Sequence, residues 1–188
     1  MIERHIWKIL RESIGILIIA SAISSLGGIG LEALRTKIAL LVPIIILLPA
    51  LNDMIGDFGA IIASRFTTML YEKEIKEKKW WTEPELHHLF FVVLGIAVLA
   101  AIYVAILAYF IAMLKGFPFD MIMAQKVMLV SIITTMLLVF ILFLVSTIGG
   151  FYVYRKKHDP DNYLIPLATA LADFGSMITL SAMVMFMF

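Results

Sequence analysis

The sequence predicts an all-α membrane protein of five transmembrane helices, with residues 1–188 forming a single domain and no soluble regulatory domain. Three observations carry this. Hydrophobic residues make up 62% of the chain, against roughly 45–50% in a soluble globular protein. The mean hydropathy is +1.01. The apolar residues also fall in five long blocks, each reaching the about 20 residues that a helix needs to cross a bilayer. With 15 basic and 14 acidic side chains, the near-neutral charge offers neither a basic footprint for nucleic acid nor a patch for acidic substrates. The absence of cysteine excludes disulfides and thiolate metal sites.

The first span covers residues 6–34; its apolar run from Ile14 leads into "SSLGGIGLEALR" and reads as a retained span rather than a cleaved leader. The second covers residues 37–70. Between it and the third, residues 88–114, lies the loop "YEKEIKEKKWWTEPELHH". Its dense mixed charge suits a solvated turn or helix, and Thr82 with Glu85 forms a capping box for the third span. His87 and His88 are adjacent and point about 100° apart on a helix, so they suit the interface better than a shared metal. The fourth and fifth spans are residues 127–154 and 164–188. The 12 methionines show no clustered repeat and read as apolar filler.

Five spans put the termini on opposite sides. Arg4, Lys8, Arg11, Lys73, Lys76, Lys78, Lys79, Arg155, Lys156 and Lys157 fall on one side, and Arg35, Lys37, Lys115 and Lys126 on the other. The excess of basic residues predicts a cytoplasmic N-terminus and an external C-terminus in a cell membrane. Trp80, Trp81, Tyr152 and Tyr154 fall at the cytoplasmic ends of spans, as interfacial aromatic residues do.

The second block differs from the rest. As one helix, residues 37–70 would run about 50 Å, longer than a hydrocarbon core of about 30 Å, so the block must tilt, protrude or break. Pro43 and Pro49, followed by Asn52, Gly56 and Gly59 in "PALNDMIGDFG", predict a break. A broken helix frees backbone carbonyls, which is tolerated only where protein or a water-filled cavity covers them. Asp53 and Asp57 follow at i and i+4, which stacks both carboxylates on one face with Ala60 and Ser64 beyond them.

On the fifth span Asn162, Pro166, Thr169, Asp173 and Ser176 form a similar stripe at steps of three or four. Three aspartates facing lipid would cost on the order of 8–10 kcal/mol on insertion scales. They are expected to face one another, water or a cation. Arg65 could neutralise one, but it is two turns from Asp57 and cannot serve all three. Carboxylate, amide, hydroxyl and backbone oxygens are the ligands of hard cations such as Mg²⁺ or Ca²⁺, whereas Zn²⁺ and Cu⁺ favour nitrogen and sulfur.

With its Pro-containing second span carrying "PALNDMIGDFGAIIASR" and its fifth span opening "DPDNYLIPLATALADFGSM", the whole chain resembles the transmembrane domain of the MgtE family of magnesium channels and transporters, including its eukaryotic solute-carrier relatives. In that family a Pro-Leu-x-Thr-x-Leu-x-Asp pattern supplies the aspartate of the central ion site. Pro166, Leu167, Thr169, Leu171 and Asp173 match it here. The family's Gly/Asn-rich turn and following arginine map to Asn52, Gly56 and Arg65, with Asp57 where an amide is common.

The resemblance implies a homodimer in the lipid bilayer, with a pore on its two-fold axis lined by second and fifth spans. Together with the polar stripes of the second and fifth spans, it makes Asp173, Asp57, Asp53, Asn52 and Thr169 the expected metal-binding residues, and Pro49, Gly56, Arg65, Asn162 and Pro166 pore-lining or structural ones. The ion is cargo, Mg²⁺ or another divalent cation, and no cofactor is expected. Gly56, Gly59, Ala60, Ala63, Ala170, Ala172 and Gly175 would let helices of the two copies approach closely. Bacterial members carry a cytoplasmic N-terminal region and CBS domains that gate the pore. This chain is expected to be a half-size form without them, which leaves gating to a possible separate regulatory subunit.

Two other classes fit the sequence less well. "DMIGDFGAIIASR" faintly echoes the D-x-x-D-G-x-x-A-R motif of metal-dependent membrane phosphotransferases, but Phe58 stands where that motif needs glycine, and no acidic residue follows before Glu72. An enzyme is therefore not expected. A non-transporting membrane scaffold is the other alternative; such a protein would bind no divalent cation.

Overall fold

The computed structural model describes residues 2–32, 34–72, 75, 80 and 82–188; within residues 2–12 it describes the backbone and the Trp7 side chain. Among the described residues six α-helices follow in order: α1 (Ile2–Glu32), α2 (Arg35–Ala39), α3 (Val42–Tyr71), α4 (Pro84–Leu114), α5 (Met121–Arg155) and α6 (Asp161–Met187). All but α2 are long and apolar enough to span a membrane, and no strand occurs among the described residues. The side chains of Arg4, Lys8 and Arg11, and the residues Lys73, Lys76, Lys78, Lys79 and Trp81, on which much of the orientation argument rests, lie outside the described residues.

The second block breaks at its start. α2 ends at Ala39, Leu40 and Leu41 interrupt it, and α3 opens with Pro43 in its first turn. There the missing N–H would have had no helical partner, and the fixed φ suits the helix. α3 then runs unbroken through Pro49 and the whole "LNDMIGDFG" segment, so the Asn- and Gly-rich stretch is helix rather than a turn. Pro49 still withholds a donor from the carbonyl four residues earlier, at Ile45.

The capping box expected at Thr82 and Glu85 does not open α4. Glu83 is the N-cap, extended and without a side-chain cap bond, and Pro84 takes the start of the helix, with Glu85 in the first turn. α5 is capped by Asp120, whose side chain accepts from the Ile122 N–H at 2.9 Å. The Tyr109 hydroxyl holds the preceding loop, accepting from the Asp120 N–H at 2.9 Å.

Two apolar clusters hold the bundle. One joins Ile44, Leu47, Leu51, Val127, Val130, Leu180 and Val184. The other joins the C-terminal part of α3, the start of α4 and the end of α5 through Phe66, Leu70, Leu86 and Phe151. Trp80 and Tyr154 pack against the second cluster, and Tyr71 meets Tyr154 edge-on at 5.5 Å. α6 packs against α1, α3 and α5, whereas α1 leans mainly on α6.

Small residues bring the backbones close within the protomer. α4 buries Ala97, Ala101, Ala105, Ala108 and Ala112 along one face, and the Ser131 hydroxyl of α5 donates to the Ala101 carbonyl at 2.9 Å. A Cβ at Gly59 would lie 3.0 Å from the Ala168 Cβ and 3.1 Å from Leu142 Cδ1. One at Gly175 would run into Leu138. Ala63, Ala170 and Ala172 are likewise buried. Most of the small residues expected to face a second copy are thus used inside a single one; Ala60 and Gly175 are only partly covered, and Ala60 lies on the face of α3 that carries the aspartates.

Gly150 tests this packing. A Cβ there would collide with the Phe66 ring, itself fixed edge-on to Phe151 at 5.1 Å. Gly150→Ala is expected to destabilise the fold by about 1–3 kcal/mol. Gly28, with nothing near it, should tolerate alanine with no loss, as replacing a mid-helix glycine removes a penalty of about 0.5–1 kcal/mol. Thermal unfolding of both variants in detergent measures the difference, and equal melting temperatures would contradict it.

Candidate functional site

Pro49, Asn52, Asp53, Gly56, Asp57 and Ala60 recur at steps of one, three and four along α3, which places them on one face. Together with Ile165, Thr169 and Asp173 of α6 they line a cavity of about 430 Å³. The i, i+4 pairing of Asp53 with Asp57 is therefore realised as one wall, and the fifth-span pair Thr169 and Asp173 as the opposite one. Asp53 and Asp57 are exposed in the single chain.

Arg65 does not neutralise them. It is exposed, lies outside the cavity, and forms no ion pair among the described residues. Asn162 and Ser64 also lie outside, and Pro166 lines a different cavity, described below. No three carboxylate or imidazole groups among the described residues come close enough to hold one metal ion. The single chain thus supplies the wall of a site rather than a closed cage.

Gly56 is buried, yet a Cβ on it would meet only Thr169 Cγ2 at 3.6 Å and Ala172 Cβ at 4.0 Å. These are ordinary contacts. Glycine at this position leaves space in the cavity rather than relieving a collision, unlike Gly59 one turn away.

The Asp173 carboxylate is not unpaired. Its Oδ2 accepts from the Ser24 hydroxyl of α1 at 2.8 Å. On its other side lies a second cavity of about 530 Å³, lined by Leu17, Ala20, Ser21, Ser24 and Ser25 of α1 and by Ile165, Pro166, Thr169, Ala170 and Asp173 of α6. Asp173 thus stands at the boundary between an α3 side and an α1 side. The serines of α1 escaped the sequence analysis, although Ser21, Ser24 and Ser25 share one helical face in an otherwise apolar span. That spacing was the available signal.

Ser176, fully buried, ties the two walls together. Its hydroxyl approaches both Asn52 Oδ1 and, at 3.0 Å, the Asp173 backbone carbonyl. A serine has one proton to give and two lone pairs. Given to Asn52 Oδ1, that proton ties α3 to α6 through the amide oxygen. Thr169 donates to the Ile165 carbonyl of its own helix at 3.1 Å, so lone pairs are what its hydroxyl offers elsewhere. The cavity is lined by carboxylates, an amide and a hydroxyl, with no imidazole or sulfur group, a donor set that suits a hard cation.

No curated protein and no solved structure matches the chain. The family model MgtE, described as a divalent cation transporter, matches residues 48–183, which contain α4, α5 and most of α3 and α6. That match extends over well more than half of the chain and includes both walls of the acidic cavity: this integral membrane protein belongs to the MgtE family of divalent cation transporters.

Proposed function

We propose that the protein conducts Mg²⁺ along an acidic path at the two-fold axis of a homodimer, between the α3 and α6 walls of both copies, with the N-terminus in the cytoplasm. One observation carries this: Asn52, Asp53, Asp57, Thr169 and Asp173 converge on a single cavity that holds three carboxylates and no imidazole or sulfur group. At about 30 Å³ per water, a six-water shell takes on the order of 180 Å³. The cavity, at about 430 Å³, accommodates a hydrated ion. Mg²⁺ gives up its waters reluctantly and is held by one or two carboxylates at a time, which suits carboxylates that do not converge into a tight cage.

Asp173 is the central ligand in this proposal, and Asp57 and Asp53, one turn apart, continue the path. Exposed carboxylates in a span cannot face lipid cheaply, at about 2.5–3.5 kcal/mol each. A second copy related by a two-fold axis would cover them with an identical wall and double the ligand set. Such a path carries more negative charge than one divalent ion neutralises. Several ions in succession then occupy it, and their mutual repulsion lets each one leave.

Three outcomes are expected. Asp173→Ala should abolish divalent flux into proteoliposomes while the protein still assembles, and Asp173→Asn should weaken binding strongly without disturbing the fold; flux like wild type in the alanine variant would sink the assignment. Cysteine placed at position 57, in a chain with no other cysteine, should react with a small aqueous thiol reagent and be protected by Mg²⁺. If neither labelling nor protection is seen, Asp57 is not on the path. Finally, mass measurement in nanodiscs should give a dimer, and Mg²⁺ at a hundredfold excess over its Kd should stabilise it by about 2.7 kcal/mol. A transporting monomer, or a melting temperature indifferent to Mg²⁺, would count against a cation shared between two copies.

A further inference from the structure

We propose that Ser24 of α1 is a positioning residue that sets the metal preference of the site, by holding one oxygen of Asp173 so that the carboxylate meets a cation through the other oxygen alone. The inference rests on Asp173 being the cation ligand proposed above.

Ser24 uses its proton differently from Ser25 and Thr169, two other hydroxyls on the cavities. Ser25 donates to the carbonyl of Ser21 at 2.8 Å, and Thr169 to that of Ile165 at 3.1 Å, each four residues back on its own helix. That is the usual destination for a hydroxyl in a membrane helix. Ser24 instead donates across the helix pair to Asp173 Oδ2 at 2.8 Å, a partner 149 positions away. The approach is fixed by packing. Gly27, on the same face of α1, lies so near α6 that a Cβ on it would sit 3.0 Å from the Phe174 Cα.

A hydrogen bond to a carboxylate is among the stronger ones. It anchors Oδ2 toward α1 and leaves Oδ1 as the oxygen for an ion on the α3 side. Chelation by both oxygens would require the carboxylate to rotate off Ser24. Ca²⁺ takes six to eight oxygens and accepts carboxylates in bidentate fashion, whereas Mg²⁺ takes six at shorter distance and uses carboxylate oxygens singly. Anchoring Oδ2 therefore penalises Ca²⁺ more than Mg²⁺. Without Ser24 the carboxylate gains freedom to turn, because the cavity on the α1 side, about 530 Å³, does not confine it.

The test titrates Mg²⁺ and Ca²⁺ separately into the full-length protein in nanodiscs and compares the ratio of the two dissociation constants. Ser24→Ala should shift that ratio toward Ca²⁺ by about tenfold, the factor carried by one charge-assisted hydrogen bond. Ser24→Thr, which keeps the hydroxyl, should restore the wild-type ratio. Should the alanine variant fail to assemble, Ser24→Cys, with its weaker donor, is expected to give an intermediate ratio. An unchanged ratio in Ser24→Ala, or an equal loss of both ions in the alanine and threonine variants alike, overturns the proposal. Asp173→Asn separates the two levels. If it binds both ions as wild type does, the site itself is misassigned; if it loses them while Ser24→Ala keeps the ratio, only the role of Ser24 fails.

Discussion

A carboxylate within the hydrocarbon layer is stable only when protein, water or an ion stands between it and lipid, and the arrangement of α1, α3 and α6 follows from meeting that requirement at Asp173. α6 lies between the other two. On one side Ser24 donates to the carboxylate; on the other Asn52 and the α3 aspartates share its cavity. Ser176 links the α6 backbone at Asp173 to the α3 amide at Asn52. Displacing any one of these helices would leave a polar group facing apolar surroundings, at a cost of several kcal/mol per unsatisfied group.

Close helix approach is the second condition, and the sequence meets it with side chains of almost no volume. Gly59 against Ala168 holds α3 on α6, Gly27 against Phe174 holds α1 on α6, and Gly150 against Phe66 holds α5 on α3. These contacts bind the protomer together, and in lipid, where apolar side chains gain nothing from leaving the solvent, such packing supplies much of the stability. A stripe of small residues in a span therefore identifies a helix contact without saying whether the partner helix is in the same chain. Here burial decides in favour of the same chain for Gly59, Ala63, Ala170 and Ala172.

The number of spans, their order and the acidic wall were legible because each leaves a periodic or compositional mark: long apolar blocks, and Asp53 with Asp57 at one-turn spacing. The break in the second block was legible in kind but not in place. Pro43 and Pro49 look alike in sequence, yet only the first lies beside the interruption, because a proline in a first helical turn withholds a donor that had no partner, whereas Pro49 is carried inside α3. The capping box failed for a similar reason. Pro84 fixes the helix start one residue later than Thr82 as N-cap would require. The contact between Ser24 and Asp173 was not legible as a pair, since its two ends are 149 positions apart and the serine-bearing face of α1 marks only one of them.

The two walls of the cavity also differ in kind, and this bears on how an ion would move between them. Asp53 and Asp57 are exposed on the single chain and have no hydrogen-bond donor or basic partner among the described residues, so nothing in the single chain fixes the orientation of their carboxylates. Asp173 is partly buried and held by Ser24. A flexible carboxylate binds many geometries weakly, and an anchored one binds few geometries well. An acidic entry of the first kind concentrates cations with little discrimination, as a rim of like charge does, whereas a ligand of the second kind can tell one ionic radius from another. On the proposed path, selection would then fall where α6 meets α1, one helix away from the residues that would attract the ion.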